Sequence, residues 1–238
     1  MTEQQNDIEN PEPTLGQSIA KNAIGLALFA FVTAGVIAIV QLNTKETIQE
    51  NIASAQAKAL YEITPKESVD NDILLNYVEL NSEQAKKNLH INYLGPISDN
   101  AKLYLAQKDG QTHTFLFPVT APDGYTTAIQ LLVGIKADGS VAGVRVVDHK
   151  ETPGLGDKVE LKKSDWILSF NNKSLTQPVI DKWKVKKDGG EFDSFTGATI
   201  TPRAVINAVK QTLVMFEKDK AILSTLQSHS TSKNGESL

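Results

Sequence analysis

Ala101–Asp148 reads AKLYLAQKDGQTHTFLFPVTAPDGYTTAIQLLVGIKADGSVAGVRVVD. Its Asp109-Gly110 and Asp138-Gly139 pairs each stand between two runs rich in apolar and β-branched residues. An Asp-Gly pair in that setting is a strong signal for a β-hairpin. The stretch therefore predicts an antiparallel sheet of four or more strands, of which four are Ala101–Gln107, Thr112–Val119, Thr126–Ile135 and Ser140–Asp148.

Helical patterns flank this predicted sheet. Lys45–Ile63 has apolar residues at helical spacing, and Thr64-Pro65 ends the pattern. Trp166, Ile167 and Phe170 predict a second helical segment within Lys158–Phe170. The clearest helix is Thr201–Lys218, with Thr201 as its N-cap and Pro202 as its first residue. Helices that pack on an antiparallel sheet place the chain in the α+β class.

An uncharged stretch near the amino terminus predicts a membrane anchor. Asn22–Thr44 contains no charged residue, and as a helix it would span roughly 34 Å, enough to cross the hydrocarbon core. A buried helix of a soluble protein would be shorter and carry a polar stripe. A cleaved signal peptide would have a basic start and a shorter apolar core. We therefore expect one uncleaved transmembrane helix at residues 22–44.

This anchor divides the chain into predicted regions. Residues 1–21 and 227–238 are polar and are expected to be disordered tails, and residues 45–226 are expected to form one domain. Lysines flank both ends of the span, so the distribution of positive charge leaves its orientation open.

Composition excludes several classes of function. The net charge is −4 and no basic cluster is present, which argues against nucleic acid as a partner. The chain has no cysteine, which excludes disulfides, cysteine-ligated iron–sulfur clusters and a cysteine nucleophile. Its four histidines lack the spacing of a metal site. We predict neither catalytic residues nor metal ligands.

The segment Asp193–Ala204, DSFTGATITPRA, is a candidate binding site for an anion. Thr196, Thr199 and Thr201 lie close together around a Gly197-Ala198 step. Small residues there would deliver a hydroxyl to the start of a helix, where unpaired N–H groups and the helix dipole favour a phosphate. From the residues alone, an ordinary N-capping loop is the alternative.

A second candidate is His149–Glu160, HKETPGLGDKVE, which follows an apolar strand. Pro153-Gly154-Leu155-Gly156 must form a loop, and its glycines allow a ligand to approach the backbone closely. An ordinary surface turn is the alternative. Glu151 and Asp157 suit a general acid/base pair, but solvated loop charges are the favoured interpretation. The residue types likewise favour the core over cofactor stacking for the aromatic residues Tyr125, Trp166, Phe170, Trp183 and Phe195.

Two of these stretches carry a family resemblance. TGAT at Thr196–Thr199 resembles the [ST]GAT flavinylation motif of the FMN-binding domain. Gly124–Glu160 is similar to the G subunit of the Rnf (Rsx) ion-translocating electron-transport complex, including HKETPGLGDK. An amino-terminal span followed by this domain is also the architecture of that family. The C subunit of the sodium-pumping NADH:quinone reductase shares the domain and is an alternative, as is a non-redox assembly module of the same fold.

The resemblance implies a cofactor, partners and a location. FMN would be joined by a phosphoester to Thr199, added by a separate flavin transferase that uses FAD. The domain at residues 45–226, with a flavin-binding core at about residues 100–218, would lie in the periplasm of a bacterial inner membrane beside the other Rnf subunits. Thr196, Gly197 and Ala198 would surround the phosphate, and Glu151, Thr152, Leu155 and Gly156 would line the flavin. Pro202 departs from the small polar residue expected in the family. Thr201 would remain the helix cap and Thr196 a turn residue.

Overall fold

The structure is a computed structural model that describes residues 15–226. The predicted tails at residues 1–14 and 227–238 lie outside the described residues. The chain divides into two compact units, the first ending at Asn51 and the second beginning at Ile52.

The first unit consists of most of helix α1, Leu15–Ile63. No proline interrupts this stretch, and the predicted span and the helical pattern of Lys45–Ile63 form one continuous helix. Residues 15–21, predicted within the disordered tail, are helical. Apolar side chains between Ile24 and Val40 are exposed, including Phe31 at 85%. Within the described residues, α1 is the one helix long and apolar enough to cross a membrane, and its exposed apolar surface disfavours a buried helix of a soluble protein.

The second unit is built on a five-stranded antiparallel sheet whose spatial order, β1-β2-β3-β4-β5, follows the chain. The four predicted strands are confirmed, with ends that differ by a few residues. The short first strand was missed, because Asp70–Lys87 indicates only a loop and a short helix. The strands are β1 Tyr77–Glu79, β2 Lys102–Lys108, β3 Gln111–Ala121, β4 Ile129–Lys136 and β5 Val141–Asp148.

The first predicted hairpin has the turn that its Asp-Gly pair requires. Asp109 and Gly110 both have positive φ, 52° and 72°, as in the type I′ turns that match the twist of the flanking strands.

Both faces of the sheet are buried. The carboxy-terminal helix α3, Ile200–Thr225, packs its apolar side on one face, where Phe216 contacts Phe115 and Phe117 of β3. The alternate residues Tyr104 and Leu116 pack on the other face with Leu60, in the last turns of α1. A small helix, α2 at Glu83–Asn88, contributes Ala85 to the α3 side.

The end of α1 lies close to the sheet because two strands carry glycine there. A Cβ at Gly134 would lie 2.7 Å from Ile63 Cγ2, and one at Gly143 would lie 3.3 Å from the same side chain. Residues 52–63, the later part of the predicted helical stretch Lys45–Ile63, thus belong to the second unit and pack on its sheet.

Two helix predictions are corrected. The helical segment predicted within Lys158–Phe170 is a short 3₁₀ helix, Asp165–Phe170, and a second 3₁₀ turn, Gly156–Val159, precedes it. Between them Ser164 accepts the N–H of Trp166 at 3.2 Å and begins a new turn.

The first turn of α3 also differs from the prediction. Its N-cap is Thr199, not Thr201, and Pro202 is the third residue of the helix rather than the first. The Thr201 hydroxyl donates to Glu151 instead of capping the backbone.

A buried carboxylate attaches the far half of α3 to the segment after α2. Asp219 is 1% exposed. Its Oδ2 accepts the His90 N–H at 2.8 Å, and its Oδ1 lies 2.5 Å from His90 Nδ1. The contact joins residues 129 positions apart, so it stabilises tertiary structure rather than the helix alone.

We expect Asp219→Ala to lower the free energy of unfolding by about 1–3 kcal/mol, because the His90 N–H loses its acceptor. Urea denaturation of the purified protein in detergent would measure the change. The matched control is Glu217→Ala on the same helix, where an exposed 3.9 Å pair with Lys220 is lost and an effect below about 1 kcal/mol is expected. Equal effects of the two substitutions would contradict this role of Asp219.

Candidate functional site

Aromatic side chains form the floor beneath the Thr196–Thr199 segment. Trp166 Nε1 donates to the backbone oxygen of Asp193 at 2.8 Å. The Trp166 and Phe195 rings meet edge to face with centroids 5.1 Å apart. Both side chains are buried, so the segment begins from a fixed position in the core.

The next residues make a tight turn. Ala198 N–H donates to the Phe195 oxygen at 3.2 Å. Gly197, the third residue of the turn, has φ of 82°, the left-handed value that a type II turn requires there and that glycine adopts without strain. The turn leaves Thr196 and Gly197 exposed and Ala198 and Thr199 half-buried.

The prediction that the five aromatic residues belong to the core is confirmed for four of them. Trp166, Phe170, Trp183 and Phe195 are buried. It is wrong for Tyr125, which is 67% exposed. Tyr125 lies in the loop before β4, and the backbone N–H of its neighbour Thr126 donates to Glu151 at 3.0 Å. The site thus has an exposed aromatic side chain that the sequence did not assign to it.

Thr199 stands at the start of α3 without acting as a side-chain cap. Its backbone is right-handed helical, with φ −96° and ψ −23°, and its hydroxyl makes no capping hydrogen bond. An N-cap side chain normally reaches the backbone from an extended conformation, which Thr199 does not have. The hydroxyl is therefore not committed to the helix, and the first N–H groups of α3 receive no cap from it.

The second candidate loop is closed by hydrogen bonds to one of its own backbone oxygens. Thr152 oxygen accepts the N–H groups of Leu155 and Gly156, each at 3.1 Å. Thr152 and Leu155 are exposed, whereas Gly156 is buried. The predicted loop at Pro153–Gly156 is confirmed.

Glu151 is the residue that joins the loops. It is 4% exposed, and its carboxylate accepts the Thr126 N–H at 3.0 Å and the Thr201 hydroxyl. Its own N–H donates to His149 Nδ1 at 3.0 Å, and His149 Nε2 lies 2.6 Å from Glu160 Oε1. Because Nδ1 accepts, Nε2 carries the ring proton and donates to Glu160.

The two candidate loops are in contact, although the motifs lie about 40 residues apart in the chain. A Cβ at Gly156 would lie 2.8 Å from Glu151 Oε2 and 2.9 Å from Thr201 Oγ1. A Cβ at Gly197 would lie 3.4 Å from Leu155 Cδ2. The structure therefore brings Glu151, Leu155 and Gly156 against the Thr196–Thr201 segment. Thr152 is on the same loop, with its side chain exposed to solvent.

The interpretation of Glu151 and Asp157 as solvated loop charges is wrong, since both are buried. Glu151 is occupied by the Thr126 and Thr201 donors. Asp157 Oδ2 lies 3.8 Å from Lys163 Nζ, and its buried Oδ1 has no hydrogen-bond partner among the described residues. Neither carboxylate presents a free oxygen at the surface, as a general base would.

Ion pairs anchor the surroundings of the turn. Arg203 in α3 donates to both Asp188 oxygens at 2.7 Å, and these hydrogen bonds lower the pKa of the Asp188 carboxyl. Lys186 lies 2.8 Å from Asp193 Oδ1, and this hydrogen bond raises the pKa of the Lys186 ammonium. The Arg203 pair joins Asp188 to the start of α3, and the Lys186 pair joins the two ends of the segment at residues 186–193.

Four residues of the two candidate loops, Thr152, Leu155, Thr196 and Gly197, are exposed at the surface. A groove of about 320 Å³ lies nearby, between the end of α1 and β5, and His149 and Glu160 are among its lining residues. None of Thr196, Thr199, Leu155 or Gly156 lines it. Among the described residues, no group of three or more His, Asp or Glu side chains is placed to hold a metal ion. The arrangement offers a hydroxyl, helix N–H groups and exposed apolar side chains, which suits an anionic ligand with an aromatic part.

Comparison with known proteins gives two family matches. Residues 124–214 match the FMN-binding domain, and residues 10–63 match the RnfG N-terminal region.

Several proteins named as the G subunit of an ion-translocating oxidoreductase complex are similar to the chain along most of its length. That of Pseudoalteromonas atlantica is 46% identical over 204 residues, which cover 86% of this chain and 91% of the relative. That of Photorhabdus laumondii is 44% identical over 212 residues, covering 89% and 97%. That of Vibrio cholerae is 43% identical over 196 residues, covering 82% and 88%.

Proposed function

Because the chain belongs to the family of G subunits of the ion-translocating oxidoreductase complex, we propose that it carries FMN as a phosphoester on Thr199. The family makes the chain a membrane flavoprotein subunit of an ion-translocating electron-transport complex. The relatives described above are named as G subunits of that complex, so the quinone-reductase C subunit is set aside. The FMN-binding domain match likewise disfavours a non-redox assembly module.

The observation that carries the proposal is the uncommitted Thr199 hydroxyl at the start of α3. Of the three threonines in the motif, Thr201 donates to Glu151 and is buried, and Thr196 lies on the exposed turn away from the helix end. Thr199 alone among them joins an available oxygen to helix N–H groups that can stabilise a phosphate. The type II turn at Gly197 places only small side chains before it.

In the proposed attachment, a separate flavin transferase transfers the FMN group of FAD to Thr199. The Thr199 oxygen forms a bond to the phosphorus of the FMN half of FAD, and the phosphoanhydride bond breaks. AMP leaves, and the hydroxyl proton passes to a base of the transferase. This chain supplies the acceptor oxygen and the helix N-terminus, so it needs no general base of its own.

The chain's own residues would hold the flavin on the surface. Thr196, Gly197 and Ala198 would surround the phosphate, and Thr152 and Leu155 would border the flavin. Glu151 and Gly156 are buried, so they would support the flavin-bearing loops from the protein interior. Exposed Tyr125 and Leu155 offer apolar surface to an isoalloxazine ring. Bound FMN supplies the electron-transfer chemistry, while the protein supplies position and electrostatics. A covalent bond suits a surface that does not enclose its ligand.

The proposed topology has residues 1–21 in the cytoplasm, residues 22–44 in the inner membrane and residues 45–226 in the periplasm. Because the chain contains no cysteine, an introduced cysteine is its sole thiol. We expect Lys187→Cys, at an exposed site, to react with a membrane-impermeant maleimide in intact spheroplasts. Gly16→Cys should react only after lysis. The reverse pattern would place the domain in the cytoplasm.

The test of the attachment uses the full chain co-expressed with a flavin transferase. Peptide mass spectrometry is expected to find the added mass of FMN, less one water, on Thr199. Fragmentation distinguishes Thr199 from Thr196 and Thr201. An unmodified peptide from protein that is otherwise folded would overturn the proposal.

A further inference from the structure

We propose that Glu151 is a positioning residue that acts through Thr201 to set the first turn of α3, so that Thr199 and not Thr201 accepts FMN. This inference rests on the proposed function. The family resemblance places Glu151 among the residues that line the flavin. Here its carboxylate instead positions the start of α3.

The first step is the engagement of the Thr201 hydroxyl. Thr201 is 1% exposed, and its Oγ1 donates to Glu151 Oε2. An acceptor of a phosphoryl group needs an exposed oxygen that the enzyme and the incoming phosphorus can both reach. Glu151 therefore removes from competition a threonine only two residues from Thr199.

The second step is the orientation of the helix. With 3.6 residues per turn, positions two apart point about 200° away from each other around the axis. The contact that turns Thr201 inward to Glu151 thus turns residue 199 outward. Thr199 already has a right-handed helical backbone, so its side chain follows this geometry.

The third step is the rigidity of the contact. Glu151 also accepts the N–H of Thr126 at 3.0 Å, which joins the loop before β4, the loop after β5 and the start of α3. Gly156 covers the pair so closely that a Cβ there would lie within 2.9 Å of the Thr201 oxygen. No ion pair to Glu151 is formed by the described residues. Loss of the Thr201 hydroxyl would leave a buried carboxylate oxygen without its donor.

The experiment compares rates of flavin incorporation at Thr199 in the purified full-length chain, with transferase and FAD, read by peptide mass spectrometry. Thr201→Val and Glu151→Ala are expected to slow incorporation by about tenfold or more, since small displacements of a reacting group are costly. Thr201→Ser keeps the hydroxyl and is expected to stay within about twofold of wild type. Thr201→Val is nearly the same size as threonine, so it tests the contact even where Glu151→Ala does not fold.

Asp219→Ala is the stability control, because it weakens α3 far from the first turn and should leave the rate unchanged. Thermal unfolding of each variant measures its loss of stability, so that slower incorporation can be compared between variants of similar stability. Wild-type rates in Thr201→Val would overturn the inference, and so would an equal slowing by Asp219→Ala. A wild-type chain with no FMN on Thr199 would instead overturn the proposed function, before any variant is compared.

Discussion

Thr199→Val is expected to abolish covalent flavin, leaving the denatured protein colourless and without flavin fluorescence. Valine is close to threonine in shape, and the Thr199 hydroxyl makes no capping hydrogen bond. The substitution therefore removes the acceptor oxygen at little cost to the fold. The measurement is in-gel fluorescence together with intact mass after co-expression with the transferase.

Two controls make this result specific. Thr199→Ser keeps an oxygen in the same place and is expected to retain flavin. Thr196→Val removes an exposed hydroxyl from the turn and is expected to leave the added mass on Thr199. Flavin that persists in Thr199→Val, on Thr196 or Thr201, would show that another hydroxyl is the acceptor.

Phe170→Ala is expected to lower the free energy of unfolding by about 3–5 kcal/mol, the usual cost of truncating a fully buried phenylalanine. Its ring lies at the centre of the aromatic floor, with centroids 5.3 Å from Trp166 and 4.8 Å from Phe192. Truncation leaves a cavity beneath the residues that fix the Thr196–Thr199 turn. Chemical denaturation would measure the loss.

Tyr125→Ala is the matched control for an aromatic truncation. Tyr125 is exposed, so its loss should change the free energy of unfolding by less than about 0.5 kcal/mol. A similar loss of stability in both variants would mean that the aromatic floor is not the part of the core that supports the site.

The sheet was predictable because its signals are local. Each Asp-Gly pair and its two flanking runs lie within one short segment, and the turn at Asp109-Gly110 has the backbone that such a pair favours. The membrane-spanning helix was predictable for the same reason, since a long uncharged apolar stretch is itself the signal for such a helix. The site loops could be found only as motifs, and the family resemblance joined them.

The features that were missed depend on distant partners. Glu151 and Thr201 are 50 positions apart, so nothing near either residue indicates that one is buried or that the other is not a cap. Helix capping rules predicted Thr201 as the N-cap, but its hydroxyl donates to the Glu151 carboxylate instead of capping the backbone. Tyr125 is typical of the core by residue type, yet it lies exposed in a loop whose next residue, Thr126, donates to the distant Glu151.

The strand order bears on when, during folding, the proposed FMN attachment site is complete. Each strand pairs with its neighbour in sequence, so the sheet can assemble as the chain emerges, without waiting for distant segments. Thr199, the proposed acceptor, is different, because α3 comes last and must pack before Glu151 contacts Thr201. If FMN is attached as proposed, a transferase that requires this geometry would modify folded chains and not partly folded ones.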